Sequence, residues 1–369
     1  MVKENPKRAL VVEFFTAHHE TLIPQVYLLE EAGYAVWVAV QRSFADKLRT
    51  QLPGRKLVVF GNRGPGLHLV GPWLIFWTLL TQRIHTLAIN SVLSTTLRYM
   101  VTLLWLLPHV RVGALAHGTN RLGRGGSQSW IEKRIKHWWV LSTHQLDHLP
   151  PQAKNLKVGI LPAYAWCDPK LPVTLPSALV AQQLLSSGQP ANLTLAIPGH
   201  PDALRRDYAG LFDALEKSSP PPKQIQFWLL GNYSNHAGPT LIHEIKQRKL
   251  EAYFRWGSQT IPFPHYHALL MQTHGILPLL HSHLPSTHQY QTSKISGAFN
   301  LAIGHQKIIA LPKDFLVSQE LVPFVLRYDE QALDQHFLDW CPDDFSSSQR
   351  LPLPSMTEQS AQYLNVWNL

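Results

Sequence analysis

Twice along this chain an apolar strand-like run is followed by a helically spaced run and then by another strand-like run. A proline-rich stretch separates the two series. That alternation leaves few architectures open, because parallel strands joined by helices bury both faces of their sheet. The first series begins with Ala9-Leu10-Val11-Val12-Glu13-Phe14-Phe15, a buried-strand pattern. Leu22, Val26, Leu28 and Leu29 carry helical spacing, Gly33 ends that helix, and Ala35-Val36-Trp37-Val38-Ala39-Val40 is the next strand, completing one βαβ unit. Further strands are expected at 57–60, 86–90, 111–117 and 138–142, with helices at 67–80, 97–107 and 143–149. The second series predicts strands at 193–197, 225–230, 252–254, 275–279 and 308–311. Its helices are expected at 207–215, 240–249, 265–272, around Gly297 and at 357–365.

The expected class is therefore α/β, with two Rossmann-like doubly wound domains facing a cleft. Residues 1–165 form the first domain and 166–190, rich in proline, the connection; 191–345 form the second domain. Residues 346–369 are a tail and helix packing back on the first domain. A length of 369 residues suits two such domains.

Composition narrows the function. Hydrophobic residues at 45% and charged residues at 15% exclude a disordered chain. A net charge of +9 favours anionic partners such as phosphorylated ligands or an acidic membrane. Zinc-finger spacing and RNA-recognition signatures are missing, so nucleic acid is not expected. Two cysteines, Cys167 and Cys341, make no disulfide framework and fit a reducing compartment. The charged start has no signal-peptide core, so a cytoplasmic location is expected, at the inner face of the membrane. No run reaches the roughly 18–20 apolar residues of a spanning helix. The segments 67–80 and 97–107 go part of the way. They read either as core helices or as helices presenting Trp and Leu to an acidic bilayer, with Arg83, Arg98 and Arg111 meeting headgroups.

In doubly wound sheets ligands bind beyond the carboxyl ends of the strands, so the residues just after each strand are the candidates. In the first half these are His18, His19 and Glu20, then Asn90, then His117-Gly118-Thr119-Asn120. In the second half they are Pro198-Gly199-His200 with Arg205 and Arg206, then Gly231-Asn232, then His281, Ser282 and His283, then residues 290–300. His19 or Glu20 suits a general base that deprotonates a hydroxyl, although Glu20 equally suits the first turn of a helix. His117 is placed to reach a ligand, with Gly118 allowing close backbone approach; a carbonyl-satisfied imidazole is the plainer reading. Arg205 and Arg206 suit phosphate contact, or a solvated surface pair. Around Tyr290, Lys294, Ser296, Gly297 and Asn300 polar side chains enter a helix start, whose free N–H groups and partial positive charge bind diphosphates. Adjacent His18 and His19 point apart with no third ligand at a telling distance, and Asp343-Asp344 lies in a loop, so no metal and no cofactor is expected.

The order of these features resembles the GT-B glycosyltransferases, particularly the family-4-like enzymes of bacterial polysaccharide assembly. Lys294-Ile295-Ser296-Gly297-Ala298-Phe299-Asn300-Leu301-Ala302 is similar to their donor-binding helix. Ala196-Ile197-Pro198-Gly199 through Arg205-Arg206-Asp207-Tyr208 is similar to their diphosphate-holding strand and loop, and His117-Gly118 to the histidine beside the transferred sugar. The resemblance implies a metal-independent transferase of hexosyltransferase type. It would move a sugar from a nucleotide-diphosphate donor to a glycan or lipid-linked acceptor. His19, Glu20 and His117 would be catalytic, and Gly199, Arg205, Arg206, Tyr290, Lys294, Ser296, Gly297 and Asn300 would hold the donor. One departure stands out: the family's glutamate pair maps to Thr292 and Asn300, neither acidic. A catalytically degenerate GT-B scaffold and a sugar-nucleotide epimerase are the alternatives.

Overall fold

The computed structural model describes residues 7–16, 18–62, 64, 66–92, 95–161, 191–218, 225–234, 237–257, 259, 261, 263–346 and 353–368. The proline-rich connection predicted at 166–190, with Cys167, lies outside them. The chain divides into two units. One comprises Met1–Trp166, Thr292–Ile295 and Leu353–Leu369; the other comprises Cys167–Gln291 and Ser296–Pro352.

The first unit holds a sheet of seven strands: β1 (Arg8–Glu13), β2 (Ala35–Gln41), β3 (Lys56–Phe60), β4 (Thr86–Ile89), β5 (Arg111–Leu115), β6 (His137–Val140) and β7 (Lys157–Ile160). Their order is β3-β2-β1-β4-β5-β6-β7, every pair parallel. The second unit holds six parallel strands, β8 (Leu193–Pro198), β9 (Ile225–Leu230), β10 (Phe254–Trp256), β11 (Gly275–Ile276), β12 (Ile308–Pro312) and β13 (Val325–Tyr328). Their order is β10-β9-β8-β11-β12-β13. Both units are α/β with doubly wound parallel sheets, as the alternation predicts.

The central strands are apolar on both faces because helices cover both. In β1, Ala9, Leu10, Val11 and Val12 are fully buried, and burial of each larger side chain contributes about 1.5–3 kcal/mol. Several elements fall outside the periodicity reading, among them two edge strands and the helices Arg42–Gln51, Ser127–Arg134, Thr287–Gln291 and Leu333–Asp339. The edge strands β7 and β13 are only partly buried and so carry weak patterns. The Arg42–Gln51 helix buries just Phe44, Ala45, Leu48 and Gln51. The predicted 67–80 helix is a π-helical turn at Gly66–Val70 followed by an α-helix at Gly71–Thr81.

The C-terminal helix Met356–Asn368 belongs to the first unit and lies on β6 and β7. Tyr363 stacks on Trp139 with ring centroids 4.8 Å apart, and Trp139 Nε1 donates to the Tyr363 carbonyl at 3.2 Å. Gly113 and Gly159 make this close approach feasible. A Cβ at Gly113 would collide with the Trp139 ring, and one at Gly159 with Val366. Among the described residues, no helix is long and apolar enough to cross a membrane.

Candidate functional site

In the first sheet the strand order reverses between β1 and β4. The segments leaving the carboxyl ends of β1, β4 and β5 therefore converge. They carry Glu13 to His18, Asn90 with Ser91, and Ala116 with His117. Five of them (Phe15, His18, Ser91, Ala116 and His117), together with Val92, Gly118, Arg121, Leu122, Gln128 and Trp138, line a cavity of about 240 Å³.

Glu13 ends β1 with no exposed surface. Its Oε1 accepts the Phe15 N–H at 2.7 Å, and its Oε2 accepts Asn90 Nδ2 at 2.5 Å and Ser91 Oγ at 2.7 Å. Burial still dominates over these bonds and the nearby His18 charge, and lifts its pKa to about 7. Asn90 continues the network: its Oδ1 accepts Gln25 Nε2 at 2.6 Å and Thr21 Oγ1 at 2.9 Å. Gln25 in turn accepts the Tyr363 hydroxyl at 3.2 Å. This is a satisfied buried network, and it fixes the turns that present the cavity-lining groups.

His18 caps the His19–Glu31 helix in the left-handed region, at φ 64°. Its Nδ1 lies 3.3 Å from Glu20 Oε1. Burial works against the protonated ring, but the Glu20 hydrogen bond and charge, with the Glu13 charge, outweigh it and hold the pKa above the ordinary 6.5. With Nδ1–H directed at the carboxylate, the neutral ring keeps Nε2 as its basic nitrogen. His117 differs. Its Nε2 donates to the Asn90 carbonyl at 2.8 Å, which leaves Nδ1 unprotonated. Burial, then the His18 charge, pushes its pKa down to about 4, so it is neutral at physiological pH. The cavity thus holds a carboxylate-paired imidazole beside a neutral one.

The predicted residues fall into two groups. Glu20 pairs with His18, and His117 lines the cavity; the His19 side chain lies outside the described residues. Lys294 belongs to the first unit, where it forms an antiparallel bridge with Gly118. The adjoining Ser293 carbonyl accepts the Thr119 N–H at 2.9 Å and Gln145 Nε2 at 3.1 Å, and the Lys294 carbonyl lies 2.8 Å from His144 Nε2.

Gly199, Arg205, Arg206, Tyr290, Ser296, Gly297 and Asn300 belong to the second unit. Gly199 adopts φ 97°, and Arg206 Nη2 donates to the Pro198 carbonyl beside it, while the buried Arg206 Nε has no hydrogen-bond partner among the described residues. Arg205 is exposed and paired with Asp202 at 3.0 Å. Tyr290 is half-buried. Ser296 caps the Gly297–His305 helix, Gly297 has open space on its Cβ side, and Asn300 is buried in the first turn.

Sequence reasoning read Glu13 only as part of a strand. The available signal was an acid inside an otherwise apolar run, since carboxylates are seldom fully buried without partners. Ser91 and Gln128 carried no signal. In the second unit Asp207 Oδ2 lies 2.6 Å from His281 Nδ1, whose Nε2 lies 2.9 Å from the Tyr328 hydroxyl. His283 Nε2 stands 3.7 Å from the same carboxylate. Asp207 Oδ1 accepts the Gly210 N–H at 2.9 Å as a helix cap. Asp207, His281 and His283 are close enough to share an ion. Both nitrogens of His281 are already engaged, so the group serves as a capped hydrogen-bond relay.

No protein-family model matches this sequence, and no curated protein matches it. Solved structures do. A Listeria monocytogenes protein assigned as a UDP-N-acetylglucosamine 2-epimerase is similar at TM-score 0.67 and 9% identity, over 99% of this chain and 96% of that one. A glycosyltransferase from Rickettsia africae is similar at TM-score 0.61 and 12% identity, over 99% and 94%. Anabaena HepE in complex with UDP is similar at TM-score 0.57 and 10% identity, over 98% and 95%. With two parallel sheets and likeness over nearly the whole length of each neighbour, this chain has the GT-B fold.

Proposed function

We propose that this protein is a nucleotide-sugar enzyme of the GT-B class, a glycosyltransferase acting on a glycan or lipid-linked hydroxyl acceptor. One observation carries the reading: His18, paired with Glu20, stands beside neutral His117 in one cavity. An acceptor hydroxyl there would give its proton to His18 Nε2, with Glu20 orienting the ring and stabilising the imidazolium. The freed oxygen would bond to the anomeric carbon as the bond from that carbon to the diphosphate breaks. His117 Nδ1 would accept a second hydroxyl and fix the acceptor's orientation. In the second unit, the Ser296–Gly297 helix start and Arg206 are assigned to the leaving diphosphate, with no metal required. The finer likeness to family-4-like enzymes of polysaccharide assembly, and a cytoplasmic site of action, belong to this reading.

The epimerase reading has one specific observation in its favour. Acids and histidines do cluster at this cavity, through Glu13, Glu20, His18 and His117. Its signature is interconversion of a UDP-sugar with no acceptor present.

Calorimetry with UDP, GDP, ADP, CMP and their sugars, without added metal, tests the assignment. One diphosphate should bind, and Gly297→Asp should weaken it about ten-fold by placing a carboxylate at the helix N-terminus. His18→Ala should keep binding and lower transfer about 10²–10⁴-fold, the range of general-base catalysis. Failure of every nucleotide to bind would sink the reading. Binding with no turnover would instead favour a degenerate scaffold.

A further inference from the structure

The outer face of the Gly71–Thr81 helix is apolar where helix exteriors are ordinarily polar. Ile75, Phe76 and Leu79 face the core, yet Trp73, Leu74, Trp77 and Leu80 are exposed, Trp77 by 63%. Leu69 and Val70 extend the same stripe at three- and four-residue spacing. The neighbouring Thr95–Leu104 helix and the turn after it add Tyr99, Trp105 and Leu106. Trp130, exposed on the Ser127–Arg134 helix, meets Trp105 with ring centroids 5.5 Å apart. The three helices pack in succession, so the face is continuous. Scattered exposed apolar residues need no explanation; a contiguous face does. Three threonine hydroxyls along it bond back to carbonyls of their own helices. Thr78 donates to the Leu74 carbonyl at 2.7 Å, Thr81 to Trp77 at 2.9 Å and Thr102 to Arg98 at 3.0 Å.

Charge identifies the occupant. Residues 47–131 contain no Asp or Glu but ten Lys and Arg. Arg83, Arg98, Arg111 and Arg124 are exposed. The next carboxylate, Glu132, is turned inward, accepting the Gly123 N–H at 2.8 Å and Gln128 Nε2 at 2.9 Å. A second copy of this face would set cations against cations. An anionic bilayer surface complements both features: Trp partitions to the headgroup level, and cations are drawn to acidic lipid.

We infer that this face docks the first unit onto an anionic lipid bilayer, lying on the surface rather than crossing it. Gln128 lines the cavity from the helix that carries Trp130, so docking would hold the cavity beside the lipid surface. Presentation of a lipid-linked acceptor there rests on the transferase reading; the docking itself does not.

Co-sedimentation of the full chain with vesicles tests it, using phosphatidylcholine alone and with about one-third phosphatidylglycerol. Tryptophan emission is followed in the same samples. Wild type should bind the anionic vesicles with a blue shift. The double variant Trp73→Glu/Trp77→Glu should lower partitioning about ten-fold or more, and Arg98→Glu should lower it several-fold on anionic vesicles only. All three positions are exposed, and circular dichroism verifies folding. Absence of binding to either vesicle, or undiminished binding by the double variant, would overturn the inference. So would a dimer, seen by light scattering, that the double variant converts to monomer while vesicles stay unbound. None of these readouts depends on nucleotide.

Discussion

The His18 and His117 rings lie 4.0 Å apart, centroid to centroid, tilted by 32°. Two imidazoles this close cannot both carry charge cheaply, and the network around them decides which one does. Glu20 and Glu13 favour the proton on His18, while burial and that same proton disfavour one on His117.

The two rings should therefore titrate apart. In an NMR titration of ring carbons, His117 should stay neutral down to about pH 4. His18 should titrate above its ordinary 6.5. Glu20→Gln should lower the His18 midpoint, since it removes the hydrogen bond and charge that raise it. An ordinary midpoint for His117 would mean that its burial is wrongly assigned.

Glu13 should make the fold less stable as pH rises. Its folded pKa of about 7 lies above its reference value of 4.5, so the folded state binds the proton more tightly than the unfolded chain. The cost of burying the ionised form is absent below pH 4.5, grows between 4.5 and 7, and is complete above 7, where it amounts to about 3 kcal/mol. His18 acts in the same sense at higher pH. Urea unfolding from pH 5 to 8 should thus compare His18→Ala with His18→Ala/Glu13→Gln. The single variant should lose stability over that window relative to the double variant. Parallel pH profiles would remove Glu13 as a buried acid.

Gly113→Ala should destabilise the first unit by about 1–3 kcal/mol, the usual cost of overpacking, because the added methyl meets Trp139. The strain falls on the Trp139–Tyr363 stack, so limited proteolysis should release the C-terminal helix before the rest of the unit unfolds. Unchanged protection of that helix would show that its hold on β6 and β7 is weaker than the packing indicates.

The sequence by itself determined the architecture. Runs such as Leu10-Val11-Val12 and Leu193-Thr194-Leu195, alternating with helical spacing, permit only strands buried on both faces. Periodicity is a local property that needs no knowledge of partners. It also placed His117 at a strand end, where the β/α switch gathers ligands. Tertiary structure decided the rest. Glu13 becomes a perturbed acid because the packed fold buries it completely, while β4 delivers Asn90 and Ser91 from nearly eighty residues away to bond its carboxylate. His18 becomes the paired imidazole because a left-handed cap directs its Nδ1 at Glu20. Lys294 lies against Gly118 through a bridge spanning nearly half of the chain. The outward apolar stripe and the inward one on Gly71–Thr81 read alike in sequence, because hydrophobic spacing shows how residues group around a helix axis. Only the packing of the neighbouring helices shows which stripe is left uncovered.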